Sequence, residues 1–149
     1  MQTPARTISV LAPLLALVGG CIVEPPPPPP TTVQLANSTA FDVRPNLYTS
    51  GSATGEAGLF VGANLRTDFT DRPFPELRRN ETATLTLECD EIQSLGVDAP
   101  VLFDAVTLTV TTSGDRIFLL RDTNFACGAT IRFVYFTEGD AFRVRVELP

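Results

Sequence analysis

Alternation of apolar and polar residues with period two recurs along this chain and restricts its fold more than any other feature. Ala83, Leu85, Leu87 and Cys89 share one face of a run; Thr82, Thr84, Thr86 and Glu88 share the other. Val106, Leu108 and Val110 alternate with Thr107, Thr109 and Thr111. Ile131, Phe133 and Tyr135 alternate with Arg132, Val134 and Phe136. Phe142, Val144, Val146 and Leu148 alternate with Arg143, Arg145 and Glu147. Successive side chains of a strand point to opposite faces, so this period fits half-buried strands rather than helices. Thr, Val, Ile and Phe also suit a pleated surface.

Turn residues divide the runs. Ser113-Gly114-Asp115 separates residues 106–111 from 117–120, and Glu138-Gly139-Asp140 separates 131–136 from 141–148. Both read as short hairpins. Further strands are expected at 32–35, 40–43 and 59–63, with long loops at 46–58 and 67–80. The pattern predicts an all-β fold, a small antiparallel β-sandwich or partial barrel of about seven to eight strands.

The amino terminus has a different grammar. Arg6 and the terminal amine precede an uncharged run, residues 8–18, which ends in Gly19 and Gly20 before Cys21. A positive start, a short apolar core and small residues describe a secretory signal peptide. The run is too short for a membrane span of about 20 residues. Leu17-Val18-Gly19-Gly20-Cys21 resembles the lipobox of bacterial lipoproteins, with Val18 where many have Leu. The resemblance covers the first 21 residues only. It implies that the Cys21 thiol carries diacylglycerol and that cleavage falls between Gly20 and Cys21. Ile22 in place of Asp leans towards the outer membrane, where the organism has one. Two or three acyl chains hold a protein stably, whereas one holds it marginally.

Glu24 and six consecutive prolines follow. Proline fixes φ and lacks an amide donor. In polyproline II the run makes a spacer of about 19 Å. The expected organisation is a cleaved signal at 1–20, an anchor and tether at 21–31, and one β domain at 32–149.

If Cys21 carries lipid, as the resemblance implies, Cys89 and Cys127 remain as an even pair in an oxidising compartment. A disulfide between them would stabilise by roughly 4 kcal/mol on the chain-entropy estimate. The alternative is two buried free thiols. Loss of residues 1–20 takes Arg6 from the 11 basic residues, leaving ten against 17 acids and a net charge of −7. Nucleic acid needs a basic patch, so it is not an expected partner.

The chain has no His and no Lys. That removes the usual general base, amine nucleophiles and any Ser–His–Asp triad. No catalytic residue, metal or cofactor is expected; a pair of carboxylates working on a glycosidic bond is the remaining enzymatic option. Asp68, Asp71 and Glu76 could meet calcium, but without EF-hand spacing. The glycines between Gly51 and Gly58 lack the lysine of a phosphate loop. Glu88, Asp90 and Glu91 read as a solvated turn. Asn37-Ser38-Thr39 and Asn80-Glu81-Thr82 match a glycosylation pattern by coincidence. Phe69, Phe74 and Phe125 fall outside the alternation and could line a surface or pack inside.

The expected function is a non-catalytic interaction or structural module, held in the cell envelope by acyl chains on Cys21, with an envelope protein as partner. A glycan or small ligand bound near Tyr48 or Tyr135 is the alternative.

Overall fold

A computed structural model describes residues 24–149. Cys21, its lipid and the signal segment lie outside the described residues.

The strongest alternating runs build one sheet. β1 (Thr31–Asn37), β5 (Thr82–Leu87), β10 (Thr130–Glu138) and β11 (Ala141–Glu147) lie in the order β11-β10-β1-β5. In β5 the burial alternates strictly, with Ala83, Leu85 and Leu87 inside and the three threonines outside. β10 and β11 form the expected hairpin, from Arg132 opposite Glu147 to Glu138 opposite Ala141. β1 pairs antiparallel with β5 but parallel with β10, Val33 lying opposite Ile131. A parallel pair needs a long crossover; here the whole chain between β1 and β10 supplies it.

The remaining strands form two further sheets, one of three strands and one of four. β2 (Asp42–Arg44), β7 (Val101–Asp104) and β8 (Thr109–Thr112) lie in the order β2-β7-β8. β3 (Leu47–Ser50), β4 (Leu65–Arg66), β6 (Ser94–Asp98) and β9 (Arg116–Leu120) lie in the order β4-β3-β6-β9. The described residues therefore hold 11 strands, more than the alternation indicated.

Several local expectations fail, three of them here. Residues 59–63 are not a strand: Glu56–Leu59 is a short helix, and Gly62–Asn64 is a 3-10 turn. The loop expected at 46–58 contains β3. The Ser113-Gly114-Asp115 turn closes no hairpin, because β8 pairs with β7 while β9 pairs with β6. It carries the chain from one sheet to another. Turn residues mark a change of direction; register with other strands decides the next partner.

Val33, Leu35, Val43, Leu47, Leu95, Val97, Phe133 and Tyr135 are fully buried and belong to one cluster spanning all three sheets. Full burial stabilises by about 1.5–3 kcal/mol for each large apolar side chain. At Gly96 a Cβ would come within 2.3 Å of the Ile117 carbonyl oxygen, so only glycine lets β6 approach β9 there.

Cys89 follows β5, Cys127 precedes β10, and a disulfide joins them with Cα atoms 5.5 Å apart. The bridge spans the start of β1, the strand between β5 and β10. Arg121 donates to the Cys89 carbonyl beside it.

Candidate functional site

The β1 and β10 strands run the same way, so their starts lie at one end of the domain and their finishes at the other. The tether, the disulfide and Gly128 gather at the starting end. At the other end stand the β10–β11 turn and the β7–β8 hairpin, which share a cleft of about 250 Å³. Phe41, Leu102, Asp104, Thr109, Thr111 and Asp140 are among its lining residues. Strand β1 separates the two ends by roughly 20 Å at about 3.3 Å per residue.

The hairpin exposes apolar side chains to solvent among its threonines. Val106 is 92% exposed, Leu108 75% and Val110 62%. The alternation of 106–111 therefore does not mark a core strand. Its first three residues belong to a turn, and β8 is exposed along its whole length. Period two suggests an extended segment, but it fixes neither where the strand begins nor whether its apolar face meets a core. The turn is held locally: Asp104 Oδ1 accepts from the Val106 amide at 2.8 Å, and Oδ2 accepts from the Thr107 hydroxyl at 2.6 Å. These bonds, led by that hydroxyl, hold the Asp104 carboxyl below the usual carboxylate range.

Leu108 has φ +54°, in the left-handed region. Glycine or asparagine adopts that region at lower cost than a bulky side chain. An exposed leucine there contradicts both the backbone preference and the preference for solvent-facing polar groups.

On the other face of the hairpin a cleft of about 310 Å³ runs between β2, β7, β8 and the 67–80 loop. Phe74, Phe103, Val110 and Val101 supply apolar walls, and Asp42, Arg44 and Glu76 supply charge. Phe74 is 65% exposed, whereas Phe69 and Phe125 are buried in the core. Of these three phenylalanines, then, only Phe74 reaches the surface.

The loop that carries Phe74 is braced. Arg72 donates to Glu81 Oε2 at 2.8 Å and to Oε1 at 2.6 Å, and also reaches the Glu76 carbonyl. The Arg78 amide donates to Glu81 Oε2 at 2.7 Å. With Arg72 the leading cause, these bonds hold the Glu81 carboxyl below its ordinary value.

The other candidates disperse. Asp68 is engaged by Arg66, whose guanidinium holds its carboxyl low, while Glu76 turns to the cleft. Among the described residues no three His, Cys, Asp or Glu side chains converge as metal ligands. Tyr135 is fully buried in the core, and burial raises its hydroxyl's pKa. Tyr48 packs edge-on against Phe60, ring centres 5.2 Å apart. Neither tyrosine lines the two clefts. Cys89–Glu91 forms a 3-10 turn in which Asp90 and Glu91 are exposed.

Asn37 has a structural role that the sequence reading missed. Its Nδ2 donates to the carbonyls of Phe41, Leu77 and Arg78, and its Oδ1 accepts from the Thr39 amide and hydroxyl. A side chain only 2% exposed and engaged in this way is inaccessible to glycosylation. The asparagine-serine-threonine run was itself the available signal, since such residues bond local backbone in turns.

No protein-family model matches the chain, and no curated protein matches it. Among solved structures it is similar to the T6SS lipoprotein TssJ1 from Pseudomonas aeruginosa. Identity is 13%, the match covers 81% of this chain and 98% of that one, and the TM-score is 0.45. At that level the likeness assigns neither residue roles nor activity.

Proposed function

We propose that this chain is a lipid-anchored, non-catalytic module of a bacterial cell envelope, which holds a protein partner at the end of the domain facing away from its tether. In this reading residues 1–20 are removed, Cys21 carries the acyl chains, and residues 32–149 stand off the membrane, the outer membrane where there is one. The supporting observation is the apolar hairpin tip, where Leu108 keeps a left-handed backbone at 75% exposure. Strain and exposed apolar surface retained together point to use in binding. A protein partner is favoured over a glycan because neither Tyr48 nor Tyr135 lines either of the two clefts at this end. A carboxylate hydrolase would draw on Asp42 and Glu76 in the larger cleft; docking requires catalysis from neither.

The test has two arms in cells that make the protein. Labelling with a fatty-acid analogue should be lost in Cys21→Ala, and retained labelling would overturn the anchor. A photocrosslinking residue at position 108 should form a defined protein adduct. Thr84, exposed on β5, is the control position. Equal adducts at both positions, or none at 108, would overturn the docking end.

A further inference from the structure

We propose that the outer edge of β8 accepts an extended segment of a partner protein by main-chain pairing. The segment's apolar side chains enter the cleft walled by Phe74, Phe103 and Val110, and its alternate positions carry basic side chains. The inference rests on the docking end just proposed and specifies how that end recognises its partner.

The ladder itself shows which groups are open. Beyond the Val101–Thr112 pair, the Ser113 amide donates to the Pro100 carbonyl at 3.0 Å. Pro100 has no amide to return. In an antiparallel ladder, hydrogen-bonded and non-hydrogen-bonded pairs alternate. Counting back from Ser113, Thr111 and Thr109 bond inward to Leu102 and Asp104. Val110 and Thr112, opposite Phe103 and Val101, therefore turn their amides and carbonyls outward. β8 is the last strand of its sheet, and all four of its residues are exposed. Val110 thus offers open main-chain groups and also forms a wall of the cleft.

Exposed edges are normally blocked by charge, proline or a covering segment. β8 reads Thr-Val-Thr-Thr and carries none of these. The contrast within the molecule is β11, where Arg143 and Arg145 flank Val144 and Asp115 accepts the Val144 amide at 2.9 Å. β5 also ends its sheet on an uncharged run, yet neither cleft borders it.

Side-chain chemistry indicates the occupant. Successive side chains of an added strand would face the larger cleft and the smaller one in turn. Val43, Phe74, Val101, Phe103 and Val110 line the first, where Arg44 stands beside Asp42 and Glu76, and would take the apolar positions; Asp104 and Asp140 line the second with no base beside them and would meet the alternate ones. That surface is complementary to a basic segment. A second copy of this chain, itself acidic, would set like charge against like.

The test uses the full chain in detergent and a fluorescent ten-residue peptide of valines alternating with arginine or threonine, read by anisotropy. Binding should weaken at least tenfold when alternate peptide amides are N-methylated, which removes donors and preserves charge. Glutamate in place of arginine should weaken it equally. Thr112→Pro, which deletes one outward donor, should weaken it tenfold, while Thr112→Ala stays within twofold. If Thr112→Pro does not fold, the N-methylated peptide against the unaltered protein carries the same test. Binding lost in Leu108→Asn but indifferent to N-methylation and to Thr112→Pro would overturn strand addition and leave the docking end standing. Absence of peptide binding where position 108 still crosslinks a partner would do the same. Equal binding of the glutamate peptide would overturn the basic occupant. A dimer in sedimentation that Thr112→Pro dissociates would replace the partner with a second copy.

Discussion

The two ends of β1 are built on opposite principles. Around its start a disulfide ties the strands on either side together, and Thr31, Leu87 and Cys89 are buried beside it. Beyond its finish, a three-stranded sheet leaves an edge open and exposes valine, leucine and phenylalanine to water. The first arrangement stabilises the fold. The second contributes little stability and exposes surface that a partner can cover. Substitutions should therefore separate into those that unfold the domain and those that leave it folded without its proposed binding.

The sharpest separation is expected from Phe133→Ala, deep in β10. It should cost about 3–5 kcal/mol in urea unfolding, through lost burial and the cavity left behind. A loss comparable to that of a surface substitution would break the contrast. Next, replacing Cys89 and Cys127 together by serine should cost about 2–4 kcal/mol, measured the same way without reductant. Reductant should have no further effect on that variant.

Asn37→Ala should cost about 2 kcal/mol, because three carbonyls lose their donor at a buried site. This sharpens the comparison by showing that the far end is firm beneath its exposed hairpin. Glu81→Gln is expected to cost about 1 kcal/mol at neutral pH. The carboxyl titrates lower when folded than when unfolded. Its contribution is therefore present above the unfolded value of about 4.3 and fades as pH falls through the lower folded value. The stabilities of the two proteins should converge in acid; a constant difference would show that the Arg72 pair acts through packing alone. Smallest of all, Leu108→Asn should change stability by less than about 0.5 kcal/mol, or raise it slightly by relieving the left-handed backbone.

How far this organisation was legible in the sequence depends on the faces each segment shows. β5 and β11 bury one face and wet the other, so their residues alternate and declare themselves; β10 keeps Ile131, Phe133 and Tyr135 in the same rhythm although it buries Val134 on its other face. β6 buries four of its five residues, so Ser-Leu-Gly-Val shows no alternation, and Gly96 imitates a turn. β3 hides in a run of small residues, yet its Leu47 and Thr49 are buried. The disulfide followed from the cysteine count once Cys21 was set aside through its lipobox resemblance. The candidate site was least legible. Val106, Leu108 and Val110 look like any core-facing row, and only the placement of β7 and β8 shows that no core lies opposite them. Phe74 stood apart from the alternation, but so did Phe69 and Phe125, which went inside.

Gly128 has φ +81°, and a Cβ there would come within 2.9 Å of the Pro29 ring. The last part of the spacer thus lies against the body instead of leaving it at a free swivel. With Cys21 held in lipid as proposed, the stretch of chain between the anchor and this first contact with the body is residues 21–28 rather than the whole tether, which shortens the reach of the domain's outward tip. Gly128 is therefore doubly required, by its left-handed backbone and by the proline ring packed where a side chain would stand.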